Sequence, residues 1–188
     1  GGCHGAHPDR GIDPVLIAAA VIQALQSIVS RNINAFHPSL LSVTRVSAGT
    51  TWNVIPAEAV MEGTVRTMER EDRILYRERL HEIAKKTAQA YGAEAEVEWI
   101  EGPPATYNDR QMAENSVKLA EEMGFSTAVE ESSLGGDDFA FYEEKIPACY
   151  VKLGTGIGHP IHHPAFEVKP EMLLRAARFL CACLTAVF

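Results

Sequence analysis

The segment Glu94-Ala95-Glu96-Val97-Glu98-Trp99 decides the fold. Ala95, Val97 and Trp99 alternate with glutamates, the period-two pattern of a strand with one wet and one packed face. Just upstream, residues 69–91 set Tyr76, Leu80, Ile83, Thr87 and Tyr91 along one helical face, with interleaved Arg, Lys and Glu opposite and Gly92 as the stop. Before that helix, residues 40–46 and 59–67 are runs rich in β-branched side chains, separated by a turn-prone stretch holding Gly49, Asn53 and Pro56. Earlier still, Ala18, Val21, Ile22, Leu25, Ile28 and Val29 recur at helical spacing, after Asp13 as N-cap and Pro14 at the first helical position. The order is helix, strand, strand, helix, strand. One further strand ahead of Gly1 makes it β-α-β-β-α-β, so the pattern predicts a ferredoxin-like sandwich lacking part of its first strand.

Gly102-Pro103-Pro104 follows. Adjacent prolines fix φ and disfavour helix on their N-terminal side, which predicts a domain junction there, with domains 1–102 and 103–188. In the second domain the pattern predicts a helix over 109–123 closed by Gly124, a short strand over 125–129 and a short helix over 137–145. A buried strand over 148–153 and a final helix over 170–187 complete it, the helix carrying Leu173, Ala177, Leu180, Cys181 and Leu184 on one face. Strands alternating with helices point to an α/β arrangement.

The composition narrows the function classes. At 188 residues and 46% apolar the chain has ample material for a core. Its 17 basic residues are scattered among 25 acidic ones, for a net charge of -8, which argues against nucleic acid as a partner. Cys3, Cys149, Cys181 and Cys183 form no C-x-x-C pair and read as free thiols of a reducing cytoplasm. The longest apolar stretch, residues 14–24, is short for a bilayer and follows no charged n-region, so neither membrane insertion nor export is expected. The start, Gly1-Gly2-Cys3-His4, carries no initiator methionine and reads as part of a longer polypeptide.

Four patterns have chemical potential, each beside a structural reading. In Gly2-Cys3-His4-Gly5-Ala6 the glycines expose His4, which suits it to donate a hydrogen bond to a substrate oxygen or leaves it a surface residue. Asn53-Val54-Ile55-Pro56 precedes Gly63-Thr64-Val65-Arg66; alternation sets Met61, Gly63, Val65 and Thr67 against Val60, Glu62, Thr64 and Arg66. With helices over the first face, Arg66 stands on the open one, to hold a carboxylate in bidentate fashion or to pair with Glu62 or another neighbour. Gly135-Gly136-Asp137-Asp138-Phe139 places two acids at a helix start, as caps or facing a metal. In Gly158-His159-Pro160-Ile161-His162-His163-Pro164, adjacent imidazoles on an extended chain point apart, so the loop offers one metal ligand rather than a complete site, or is an ordinary polar loop. The glycines of 154–158 lack the Gly-Lys-Ser/Thr of a phosphate loop, and His37 and His81, without companions, read as surface residues.

Taken in order, GCHGAHP, Ile12-Asp13-Pro14, GTTWNVIP, GTVRT, GGDDFAFY and IHHPAF resemble the metal-dependent aminoacylase and carboxypeptidase family. They look closest to its amidohydrolase branch, which includes hippurate hydrolase and the hydrolases of indole-acetic-acid conjugates. The resemblance spans nearly the whole chain and covers the family's lid, or dimerisation, domain and the C-terminal part of its α/β catalytic domain. It implies hydrolysis of the amide of an N-acyl amino acid or peptide-like conjugate. The implied agents are two divalent ions, Zn²⁺ or Mn²⁺ with Co²⁺ or Ni²⁺ as alternatives, and a glutamate that activates the bridging water. It further implies a homodimer through the lid, His162 as the last metal ligand and His4 as the group that polarises the scissile carbonyl. Asn53 and Arg66 would hold the substrate or its carboxylate, and Asp137 would stand near the site where relatives carry glutamate. The family's Cys-x-His pair, paired glutamates and other histidine ligand lie upstream of the lid and have no counterpart here, so the chain alone is expected not to hydrolyse. The rival reading is a non-catalytic ferredoxin-like dimerisation or interaction module. A small-molecule regulatory domain of the same type would leave GGDDF and the histidine loop idle.

Overall fold

The computed structural model describes residues 1–156 and 158–186. Two units divide the chain: Gly1–Ala105 with Ser133–Gly136, and Thr106–Ser132 with the described residues from Asp137 on. Along the first run β1 (Cys3–His4), α1 (Pro14–Ser27), β2 (Ser39–Ala48), β3 (Val54–Ile55), β4 (Ala59–Thr67) and α2 (Arg70–Ala90).

Asp13 opens α1 by accepting the amides of Val15 and Leu16 through Oδ1 at 2.9 and 3.3 Å, which satisfies two orphan donors of the first turn. The helix continues through a π-turn, Ile28–Asn32. That continuation corrects the reading of residues 14–24 as the whole apolar stretch, because Pro14–Asn32 is 19 residues with a mean hydropathy of 1.5, enough in length and composition to cross a bilayer. One face of it packs into the core. Ile17, Val21, Leu25 and Ile28 are buried in one cluster with Leu41 of β2 and with Tyr76, Ala84 and Ala88 of α2. Tyr76, fully buried, donates its hydroxyl to Ser39 Oγ at 3.1 Å and so ties α2 to the start of β2. α2 ends in a Schellman motif: Gly92, at φ 78°, donates to the carbonyl of Gln89, and Ala93 to that of Ala88.

β2 and β4 pair antiparallel from Ser39 opposite Thr67 to Ala48 opposite Ala59, with Thr44 bulged between Val43 and Arg45. Met61 and Val65 pack against the core, as the alternation predicts. β1 pairs with β3 in a separate ladder, Cys3 opposite Ile55 and His4 opposite Val54.

The segment 93–100 requires a correction. Ala93, Ala95, Val97 and Trp99 face the core cluster and the glutamates between them are exposed, yet the segment joins no ladder. Alternation reports which side chains are buried and is silent on whether the backbone has a hydrogen-bonded neighbour. His37 and His81 are corrected too. His37 Nδ1 lies 2.8 Å from Oδ2 of the buried Asp72, and His81 Nδ1 lies 2.7 Å from the Arg77 carbonyl.

The second unit holds α3 (Arg110–Glu122), α4 (Ala140–Glu143) and α5 (Pro170–Thr185). Asp109 caps α3 by accepting the Met112 amide at 2.9 Å, and Gly124 closes the helix at φ 79°. The expected strands over 125–129 and 148–153 are absent among the described residues, and the expected helix over 137–145 shrinks to α4. In place of a ladder, the Asn108 side chain brackets Tyr150, donating to its carbonyl at 3.1 Å and accepting its amide at 2.7 Å. A side-chain amide offers the same donor and acceptor as a peptide and substitutes for a neighbouring strand. The Val187 end of the expected final helix lies outside the described residues. Leu173, Leu180 and Leu184, which share one face of α5, are 60%, 63% and 87% exposed.

Candidate functional site

In the first unit, the two-residue ladder brings His4 and Asn53 together. The Gly5 amide donates to the Asn53 carbonyl at 2.8 Å, directly beside the His4–Val54 pair. A Cβ on Gly5 would come within 3.1 Å of that carbonyl oxygen, so the close approach favours glycine. The chain then turns back on itself, His7 N–H donating to the His4 carbonyl at 2.8 Å and Ala6 N–H to His4 Nδ1 at 3.1 Å. The imidazole stays exposed, its ring centroid 5.9 Å from that of His7. Asn53 Oδ1 accepts the Thr51 hydroxyl at 3.3 Å.

Arg66 lies on β4 opposite Leu40, half-buried, and its side chain makes no ion pair or hydrogen bond among the described residues. Glu62, one of its expected partners, instead takes Arg45 across the sheet at 3.2 Å. Arg66 Nη1 rests over Gly136, where a Cβ would sit 2.7 Å away. Sequence reading missed this glycine's role. The signal, two glycines before an acidic pair, is visible, but what the missing side chain makes room for is set by tertiary contact.

In the second unit, both oxygens of Asp137 are engaged: Oδ1 accepts the Phe139 amide at 2.9 Å and Oδ2 the Tyr150 hydroxyl at 3.0 Å. The carboxylate stabilises the phenol as a donor and holds the Tyr150 pKa above the usual tyrosine range, with burial adding to the effect. The helix cap expected of these acids is not made, since α4 is N-capped by Phe139 without a side-chain bond; Asp137 closes a turn ahead of it instead, and Tyr150, which shares that acid, carried no sequence signal. Glu143 accepts the Tyr107 amide through Oε2 at 2.7 Å, while its Oε1 is buried without a hydrogen-bond partner.

The histidine loop separates its three rings. His159 and His163 stack, centroids 4.1 Å apart and planes 7° from parallel. His163 N–H donates to the Pro160 carbonyl at 3.1 Å, closing a turn whose third residue, His162, has φ 72°. It is the non-glycine residue in the left-handed region among those described, at the turn position that requires it. Its ring has no hydrogen bond or ring contact among the described residues. Among the described residues no three His, Cys, Asp or Glu side chains come together there as a metal-binding group. One free imidazole falls short of the three protein ligands that even an open catalytic zinc site uses, so the described residues do not fit a metal site by themselves.

Comparison with known proteins matches this arrangement to one family. The profile of Peptidase family M20/M25/M40 matches residues 10–186. N-acetylcysteine deacetylase of Bacillus subtilis (strain 168) is 43% identical over 178 residues, 95% of this chain and 47% of the relative. Thermostable carboxypeptidase 1 of Saccharolobus solfataricus is 32% identical over 179 residues, 92% of this chain and 45% of the relative. The crystal structure of Bacillus subtilis YXEP protein, a dinuclear metal binding peptidase of the M20 family, superposes with a TM-score of 0.75 at 39% identity, covering 92% of this chain and 45% of that one. The chain spans about half the length of the curated relatives it matches. With the match running through almost every described element and its mixed α/β fold shared with solved members, the chain belongs to Peptidase family M20/M25/M40.

Proposed function

We propose that the chain forms the lid and the C-terminal catalytic portion of a metal-dependent amidohydrolase that releases an amino acid from an N-acyl amino acid or peptide-like conjugate. The observation that carries this is the half-buried, unpaired guanidinium of Arg66, a fork for a free carboxylate on the open face of β4. The 43% identity to a deacetylase of an N-acyl amino acid supports the same substrate class. In this reading residues 1–102 are a ferredoxin-like lid through which the protein forms a homodimer, and 103–188 belong to the catalytic domain. His4 donates to the scissile carbonyl, Asn53 and Arg66 hold the substrate, and Asp137 borders the site. His162 gives one ligand to a pair of divalent ions, Zn²⁺ or Mn²⁺ before Co²⁺ or Ni²⁺, whose other ligands and general base come from outside these residues. When bound, such ions polarise the carbonyl and activate water. The four free thiols support a cytoplasmic setting.

The test is release of free amino acid from N-acetyl and N-benzoyl amino acids by the native polypeptide, with Zn²⁺ or Mn²⁺ supplied and metal content measured. Metal-dependent release that falls about a hundredfold in His4→Ala supports the reading, since one oxyanion-type donor contributes roughly that much. No release from any N-acyl amino acid overturns it in favour of an interaction module.

A further inference from the structure

We propose that two backbone amides, those of Ala6 and Ala165, fix the tautomers of His4 and His163, so that both rings present Nε2–H outward as a hydrogen-bond donor. For His4 this rests on, and deepens, the reading of that residue as the group that meets the substrate carbonyl.

Both histidines open the same turn. In His4-Gly5-Ala6-His7 the His7 amide donates to the His4 carbonyl at 2.8 Å and the Ala6 amide to His4 Nδ1 at 3.1 Å. In His163-Pro164-Ala165-Phe166 the Phe166 amide donates to the His163 carbonyl at 2.9 Å and the Ala165 amide to His163 Nδ1 at 3.1 Å. An N–H can meet only a ring nitrogen that keeps its lone pair, so Nδ1 is bare and the proton of the neutral ring sits on Nε2. The imidazole acts as an Asp or Asn side chain does when it bonds its own backbone two residues on. Each turn is braced. Gly5 is held on Asn53 at 2.8 Å, and Pro164 occupies the equivalent second position with a fixed φ.

Two other histidines are set the opposite way. His81 Nδ1 faces the Arg77 carbonyl at 2.7 Å and His37 Nδ1 faces the Asp72 carboxylate at 2.8 Å. Both partners only accept, which puts a proton on Nδ1.

The consequence for His4 is that its outward nitrogen donates to an oxygen and has no lone pair with which to take a proton from substrate. For the loop, the bare nitrogen of His163 is already used by Ala165 and its outward nitrogen carries hydrogen, whereas His162 has neither nitrogen engaged among the described residues. The turn thus selects which of two adjacent imidazoles keeps a lone pair free.

Long-range ¹H–¹⁵N correlation of the imidazoles in the 188-residue chain, at about pH 8 and above ordinary histidine titration, reads each tautomer directly. The expected spectrum shows His4 and His163 with Nδ1 at the shift of a bare nitrogen and Nε2 at that of an N–H, and His81 reversed. Ala6→Pro, which deletes the amide, moves the His4 pair toward the averaged shifts of a freely exchanging ring, while Ala6→Gly, which keeps it, leaves them in place. Should Ala6→Pro loosen β1, the unsubstituted chain and Ala6→Gly still decide. Averaged nitrogens, or a proton on Nδ1, at His4 or His163 of the unsubstituted chain overturn the proposal. The expected pattern in a protein without hydrolase activity would remove the functional reading alone; averaged nitrogens in an active hydrolase would remove the tautomers alone.

Discussion

Replacing Gly136 by alanine tests whether Arg66 is a carboxylate fork or a structural residue. The new Cβ would lie 2.7 Å from Arg66 Nη1, and ordinary contact begins near 3.4 Å, so the guanidinium withdraws by about 0.7 Å. It is the far end of a flexible side chain, and Gly136 has no positive φ to defend, so the fold tolerates the change. Gly→Ala at a compatible site adds about 0.4–1 kcal/mol by restricting the unfolded chain, and the stability of G136A is expected to equal or slightly exceed that of the parent sequence. Binding moves the other way. A hydrogen bond to a charged group is worth roughly 1.5–3 kcal/mol, and at a half-exposed arginine the lower end applies, so losing one arm of the fork weakens carboxylate binding about tenfold. Titration of the chain with an N-acetyl amino acid, followed on the Arg66 Nε–H signal and paired with urea unfolding of the same samples, measures both. An unchanged Kd, or a carboxylate that leaves the Arg66 signal unmoved in the parent sequence, refutes the argument; so does a loss of stability beyond about 2 kcal/mol, which would make Gly136 a packing position.

Two further predictions concern the scaffold. Tyr76→Phe removes the bond to Ser39 and is expected to cost about 1 kcal/mol, seen as a lower urea midpoint at constant slope, while Tyr76→Ala costs roughly 3–5 kcal/mol through the cavity. Burial, reinforced by the Asp72 charge and opposed by the Ser39 bond, holds the Tyr76 pKa above its ordinary 10.0. Its stabilising contribution is therefore complete below pH 10 and is lost as pH rises through the folded value; alkaline unfolding midpoints that are the same in Tyr76→Phe would contradict this. At φ 72° His162 occupies a backbone region open to glycine at no steric cost, so His162→Gly should exceed His162→Ala in stability by about 1 kcal/mol, and equal unfolding midpoints would remove the turn assignment.

The elements legible in the sequence are those that a short, local code specifies. Asp13 with Pro14, Asp109 three residues ahead of Met112, and Gly92 and Gly124 as stops fall where capping chemistry puts them, because each is satisfied by amides or carbonyls a few residues away. The strands that failed are those whose partners are distant or replaced. Residues 93–100 alternate because one side faces the core cluster, but their amides meet no strand. Tyr150 pairs instead with a side chain, Asn108, while the Ala148 carbonyl accepts the Asp109 amide, and no periodicity encodes that. The apolar stripe of α5 was legible as a stripe; that it faces no core within this unit is a property of packing.

The site residues divide along the same line. His4 was legible as exposed because glycines flank it, and the imidazole is exposed; the close approach of Gly5 to Asn53 carried no local signal. Arg66 was legible as an open-face residue by alternation, and the Arg45–Glu62 pair removes the bland alternative that Glu62 neutralises it. In the loop the sequence presents three equivalent imidazoles, and composition has no means of ranking them. The backbone does so: stacking occupies His159 and His163, an amide consumes one nitrogen of His163, and a left-handed turn residue carries His162 clear of both. A ligand needs a lone pair as well as a ring, so what distinguishes His162 from its neighbour is the hydrogen bond it does not make.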